Sequence, residues 1–385
     1  MIAKRIESIK PSITLDLNVK AEELQSKGIN IINLTAGQPD FFMPKNIQDA
    51  AKKAVDINYT KYTDVAGCIE LKKAIVNKLK RDNNLVYSSD EIIVSNGAKH
   101  SLYNLFQAII NPYDEVIILK PYWTSYPEIV KLAGGKPVFV NSDKNFKPII
   151  NELKKSINKK TKAIIVNSPN NPTGTLLNKK ELQEIVDICL EKNILIVSDE
   201  IYEKIVYDQE FVSIAGLGDE IKKRTVVING VSKSYSMTGM RIGYAAGSKE
   251  IISAMKKVQS HSTSNPNSIA QKASIEALNG SQKFIKEWID EFKNRRNFIV
   301  DELNSVAGIE CVKPEGAFYV FPKVSDLFNK NINSSMKLCD ELLEKAKIIV
   351  VPGEVFGSPE HIRISYATSM DNLKEAVKRI KEFLQ

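Results

Sequence analysis

Four cysteines and three histidines in 385 residues leave little from which to build a metal centre or a disulfide framework. Cys68, Cys189, Cys311 and Cys339 lie far apart with no CxxC pair, and His100, His261 and His361 supply no partners at ligand spacing. No metal is expected, and the thiols read as buried or incidental groups in a reducing compartment. Long apolar runs are missing too. The opening MIAKRIESIKPSITLDL scatters charges where a secretory leader needs a continuous apolar stretch, and no segment approaches the length of a membrane span. A cytoplasmic protein with no membrane association is expected. Repeats, low-complexity tracts and Pro/Gly-rich linkers are equally absent. The net charge of +8 is spread as single lysines and short pairs, a pattern of solvated surface. It argues against nucleic acid as a partner, while favouring small anions kinetically.

What is present is a soluble globular composition, 43% hydrophobic and 26% charged, in a chain long enough for two domains of ordinary size. Short apolar runs alternate with helical patterns through the middle. EIIVSNG (91–97), EVIILKPYW (115–123), KPVFV (136–140), KAIIVNSPNNPTG (162–174), ILIVSDEIY (194–202), TVVING (225–230) and RIGYAAG (241–247) read as strands or strands entering turns. Helices are expected over 101–110 and 179–193. Doubly apolar β-branched strands between amphipathic helices predict an α/β fold with a mostly parallel sheet covered on both faces. From about residue 282 a long charged helix leads into AFYVFP (317–322), IIVVPG (348–353), HIRISYA (361–367) and a last helix, which predicts a smaller α/β domain. The expected organisation is an N-terminal segment, 1–44, packing with that small domain, 282–385, around a large domain, 45–281.

Polar signals fall where the strands end, the place where such sheets gather functional groups. Asn96-Gly97, Tyr122-Trp123, Asn167 to Thr173, Asp199 to Tyr202 and Ser232-Lys233 converge on one crevice. Asp199 ends a buried run, where it is either exposed just past the strand or a counter-charge for a buried cation. Tyr122 and Trp123 are core aromatics or a platform for a planar ring. Gly97-Ala98 opens a helix whose N–H groups suit a phosphate, with Ser232 and Arg241 as its further partners. Lys233 lies among Ser232, Ser234, Ser236 and Thr238, with Gly239, Arg241 and an apolar run following, unlike a solvated helix face. A planar ring with a basic nitrogen, a phosphate tail and a lysine-reactive aldehyde describes pyridoxal phosphate.

GVSKSYSMTGMRIG resembles the cofactor-attachment motif of the class I and II aminotransferases, with an arginine eight positions beyond the lysine and a glycine after it. LTAGQPDF (34–41), KYTDVAG (61–67), SNGAKH (95–100), PYWTSYP (121–127), NSPNNPTG (167–174), SDEIYE (198–203) and IRISYATS (362–369) are similar to that family in its order, over essentially the whole chain. The nearest likeness is to the bacterial and archaeal aspartate aminotransferases of fold type I. The resemblance implies a pyridoxal 5′-phosphate enzyme moving an amino group between aspartate or glutamate and a 2-oxo acid such as 2-oxoglutarate by a ping-pong mechanism. It also implies a homodimer with shared active sites. Lys233 would carry the cofactor as a Schiff base and act in catalysis, while Asp199 would meet the pyridine nitrogen. Tyr202 and Asn171 would bind the phenolic oxygen, with Trp123 stacked on the ring. Gly97, Ala98, Ser232, Ser234, Arg241 and a partner-facing Tyr62 would serve the phosphate. Arg363, with Gly37, Asn171 and Trp123 beside it, would hold the substrate α-carboxylate.

One position departs from the pattern. Many relatives carry a hydroxyl where this chain has Lys99, so a phosphate contact is missing or altered. Lys99 reads as a cofactor-site residue, as the partner of a distal substrate carboxylate with Ser12 and Thr14 as helpers, or as a charge at a helix start. Prephenate or aromatic keto acids are the alternative substrates, since Lys99 suits a second carboxylate there too. A β-lyase or alanine-type transaminase ranks lower. A regulator built on the same fold is expected to need a helix-turn-helix domain in front of a match that begins almost at Met1. A nicotinamide dehydrogenase needs GxGxxG after its first strand, and AGLGDEI (215–221) lacks the third glycine.

Overall fold

The computed structural model describes residues 2–384. Its strands, in chain order, are β1 (Ile32–Asn33), β2 (Ile92–Ser95), β3 (Glu115–Leu119), β4 (Lys136–Val140), β5 (Thr161–Asn167), β6 (Leu195–Asp199), β7 (Thr225–Gly230), β8 (Gly243–Ala246), β9 (Tyr319–Val320), β10 (Ile348–Ile349), β11 (Val351–Pro352) and β12 (Ile362–Ser365). Seven of them form the main sheet, in the order β2-β8-β7-β6-β5-β3-β4. All its neighbours run parallel except β8, which is antiparallel to both β2 and β7.

The strands are apolar at successive positions because each face has its own cover. Val116, Ile118, Ala163, Ile165, Val226 and Ile228 pack with Leu102, Phe106, Ile129 and Ile252 on one side. Ile117, Ile164, Val166 and Ile196 meet Leu182, Ile185 and Cys189 on the other, and Val227, Tyr244 and Ala246 meet Leu71, Ile75 and Ala273. The period of two thus sorts residues between two buried layers.

Two small sheets complete the molecule: β11-β12-β9, antiparallel, and β1-β10, parallel. The apolar face of the helix Lys283–Asn304 and that of the last helix, Met370–Leu384, close over them through Phe292, Ile299, Leu303, Leu373 and Val377. Ile32 and Leu34 join the same core, as do Ile201, Tyr202 and Ile205 from the chain after β6. The apolar run 348–353 divides between two sheets, β10 pairing with β1 and β11 with β12. Pro352 has no N–H to extend a ladder further.

Candidate active site

Bare backbone builds one wall of the crevice. β7 ends at Gly230 directly opposite Gly243, which opens β8 and also pairs with Ser95 at the end of β2. A Cβ on Gly243 would lie 2.1 Å from the Ala98 nitrogen and 2.3 Å from the Gly97 carbonyl carbon, so only glycine lets the next helix seat there. Gly97 itself sits at φ +89 and starts the helix Ala98–Ile109, three residues earlier than its apolar pattern predicts. A Cβ on Gly97 would meet the Arg241 guanidinium at 2.5 Å. That guanidinium donates to the Thr238 carbonyl at 2.8 Å and the Asn96 carbonyl at 3.3 Å, both neutral. Arg241, a free helix N-terminus and Ser232 therefore face the same space, a cradle for an anion.

Asp199, the last residue of β6, is buried. It accepts from the Tyr126 hydroxyl at 2.7 Å and the Ile201 N–H at 3.3 Å. Burial pushes its carboxyl up to about 6, against those two donors and the more distant Lys233 cation. Asn167, at the end of β5, donates to the Asp199 carbonyl at 3.0 Å and accepts from the Asn171 N–H at 2.9 Å, tying the neighbouring loop to this strand end.

Lys233 follows β7 and is half-buried, its Nζ donating to the Gly37 carbonyl. Burial, then Arg241 and Arg363, lower its ammonium to about 8, with Asp199 opposing them. Arg363, from β12, is buried and donates to Asn171 Oδ1 at 3.0 Å and to the Thr35 carbonyl at 2.7 Å. Among the described residues its Nε has no hydrogen-bond partner, and burial draws the guanidinium below its ordinary value, opposed by the Tyr319 and Tyr202 phenols. Thr35 is in turn held by Asn18 and Asn33 at 2.7 and 2.6 Å. Lys99 stands solvent-accessible in the first turn of its helix, 5.0 Å from the centre of the Trp123 ring. Partial desolvation, then Arg241, lowers its ammonium.

These groups share a cavity of about 690 Å³, lined among others by Gly37, Ala98, Lys99, Trp123, Asn171, Asp199, Tyr202, Ser232, Lys233, Arg241 and Arg363. Ser12 and Thr14 line it as well, 3.2 Å apart. Three expected residues lie off its wall. Gly97 backs the Arg241 guanidinium, Ser234 is buried outside the lining, and Tyr62 is 91% exposed on an outer loop. Tyr126 and Tyr319 are lining residues whose roles the sequence did not single out. Tyr126 stands three residues after Trp123, its ring edge-on to that indole at 5.3 Å and its hydroxyl on Asp199, whereas Tyr319 is hidden inside an apolar strand pattern.

Among the described residues the crevice holds one buried carboxylate, Asp199, while Lys99, Arg241 and Arg363 on its wall form no salt bridge. A planar group with a protonated ring nitrogen toward Asp199, a face toward Trp123 and a phosphate in the Gly97–Arg241 cradle fits these residues. Arg363 and Lys99 remain for carboxylates.

Comparison with known proteins is consistent with that chemistry. The family described as "Aminotransferase class I and II" matches residues 29–380. The chain is 51% identical to the aspartate aminotransferase of Bacillus subtilis, over 100% of this chain and 99% of that protein. It is 50% identical to the probable aspartate/prephenate aminotransferase of Rickettsia typhi, over 99% and 98%. The crystal structure of the aspartate aminotransferase from Rhizobium meliloti superposes with a TM-score of 0.96 at 43% identity, covering 100% of this chain and 98% of that one.

Proposed function

This chain belongs to the class I and II aminotransferases and is an enzyme of their aspartate subgroup; from that premise we propose that it moves the amino group between aspartate or glutamate and a 2-oxo acid such as 2-oxoglutarate, in two half-reactions, with pyridoxal 5′-phosphate on Lys233. The observation that carries the reading is Arg363, a buried guanidinium without a carboxylate, its Nε unpaired, in one cavity with Lys233 and Asp199. Leaving such a charge unpaired is expensive, and a substrate α-carboxylate is the group that satisfies its planar fork.

When bound, pyridoxal phosphate supplies an electron sink for the pair left at the substrate Cα. Asp199 holds a proton at the ring nitrogen, which a buried carboxylate braced by Tyr126 and Ile201 does without reorganising. The Tyr202 hydroxyl and the Asn171 amide hold the ring oxygen. Arg241, Ser232 and the Ala98 N–H hold the phosphate, with Gly97 giving it access. Lys233 Nζ, its ammonium lowered to about 8, would take the proton from the substrate Cα as a base and, as an acid, deliver it to the cofactor carbon on the far side of the bridging nitrogen. Arg363, with Asn171 and Gly37 beside it, fixes the α-carboxylate.

Arg363 serves any amino acid, so preference for a dicarboxylic donor falls to Lys99, with Ser12 and Thr14. A prephenate acceptor is the second reading, favoured by the Rickettsia typhi relative's name and by the same lysine. Purified protein is expected to form oxaloacetate from aspartate and 2-oxoglutarate. Lys99→Ala should lower kcat/KM for aspartate about tenfold or more and leave alanine nearly unchanged, since a charge-assisted contact contributes about 1.5–3 kcal/mol. Equal losses for all donors together with poor cofactor retention would move Lys99 to the phosphate, and absence of oxaloacetate would sink the reading.

A further inference from the structure

Two phenols meet at the joint between the main sheet and the C-terminal sheet. Tyr202 follows β6 and Tyr319 stands in β9; both are buried, with their hydroxyls 2.9 Å apart. The register of the small sheet decides what else Tyr319 touches. Ser365 of β12 lies opposite Tyr319, so Arg363, two residues away, shares its face. The Arg363 guanidinium carbon sits 4.5 Å from the centre of the Tyr319 ring. The charged groups around the pair are Arg363 from β12, Asp199 from β6 and Lys233 from the loop after β7, with Arg241 and Lys99 facing Lys233 in turn.

A proton count orders the contact. Each phenol owns one proton. On the reading above, which this step rests on, Tyr202 gives its proton to the cofactor's ring oxygen. The 2.9 Å contact is then made only if Tyr319 donates to Tyr202. The donor chain therefore begins at a phenol whose ring carries a guanidinium on its face. A cation there draws electron density from the ring and strengthens the hydroxyl as a donor, and each bond in such a chain polarises the next. A substrate carboxylate on Arg363 offsets that cation.

We propose that Tyr319 is a positioning residue that transmits occupancy of the Arg363 carboxylate site to Tyr202, and through it to the cofactor's ring oxygen. With Arg363 free, both phenols donate strongly and the nitrogen joined to Lys233 holds its proton loosely. With a carboxylate on Arg363 the donors weaken, electron density returns to the ring oxygen, and that nitrogen holds its proton more tightly. Arrival of the substrate's carboxylate thus tunes the group its amine must attack.

The test is a pH titration of the visible band of the cofactor-loaded enzyme, with and without maleate, an unreactive dicarboxylate. Tyr319→Phe keeps the ring over Arg363 and removes only the hydroxyl. In the wild-type enzyme maleate should raise the midpoint. In Tyr319→Phe the ligand-free midpoint should already be higher by about half a pH unit or more, and the maleate-induced rise should fall to less than about half, while maleate affinity changes less than about threefold. On a Tyr202→Phe background, Tyr319→Phe should move the midpoint no further, because the relay is already cut. Equal midpoints and equal rises in the two enzymes overturn the proposal, as does an undiminished Tyr319→Phe effect in the Tyr202→Phe background. A wild-type enzyme with no visible band, or one whose band ignores maleate, overturns the aminotransferase-site reading and this inference with it.

Discussion

Lys233 shows how far neighbours alone can set a side chain's chemistry. An ordinary lysine at pH 8 is neutral in less than roughly 1% of molecules, whereas one with its pKa near 8 is neutral in about half. Burial is the largest cause of that difference, helped by Arg241, Arg363 and Lys99, while Asp199 pulls the other way. Two consequences can be measured by peptide mass spectrometry on the cofactor-free protein. Acetylation of Lys233 should rise with pH through a midpoint near 8. In Asp199→Ala the midpoint should fall below the wild-type value, because the one group stabilising the ammonium is gone. A midpoint above 10, or no response to the aspartate, would contradict this account. Borohydride treatment of the loaded enzyme should place the cofactor on the same lysine and on no other.

Helices and strands decide whether such residues can meet, and here glycines set the tolerance. Gly243→Ala would drive a Cβ into the first turn of the helix Ala98–Ile109, and overpacking of that kind costs about 1–3 kcal/mol. The variant is expected to melt at lower temperature and to retain pyridoxal phosphate about tenfold less tightly, as followed by scanning calorimetry and equilibrium dialysis. Unchanged retention would mean that the turn is not part of the phosphate cradle. Most of the main sheet was legible in the sequence, because a strand buried on both faces must be apolar at every position, as Val226, Val227 and Ile228 are. The direction of β8 was not legible: GYAA reads the same way parallel or antiparallel, and only the glycine contacts at Gly230 and Ser95 reveal which end faces the crevice. The breaks within AFYVFP and IIVVPG were hidden for the same reason, since an apolar run does not say which sheet it joins. Candidate-site residues that carry charge or follow a strand end stood out. Tyr126 and Tyr319 did not, because a buried tyrosine looks like core until its hydroxyl partner is seen.

At the scale of the whole molecule, the loop bearing Tyr62 is tied to its neighbours by hydrogen bonds and lies off the wall of its own cavity. Gln259 donates to the Val65 carbonyl at 2.6 Å, Gln271 to the Thr63 hydroxyl at 3.0 Å, and Ser268 to the Tyr59 carbonyl at 2.9 Å. A braced loop offering a 91% exposed tyrosine suits the homodimer that the family resemblance implies, in which Tyr62 would complete a neighbour's phosphate site. Mixing an inactive Tyr62 variant with an inactive Lys233 variant should then restore part of the activity, since some hybrid dimers contain one intact site; a mixture as inactive as its components would place both residues in one chain's site. The chain's own ends are joined more directly. Ile32 pairs with Ile348 and Asn33 with Ile349, and the same segment carries Thr35 and Gly37 into the crevice. On a ribosome adding roughly 5–20 residues per second, β1 waits roughly 15–60 s for its partner to be made. Throughout that interval Ile31, Ile32 and Leu34 have no finished core to enter, and the emerging protein offers them to chaperones or to other nascent chains. Lys233, Asp199 and the glycine cradle are all synthesised before the strand that seats the wall above them.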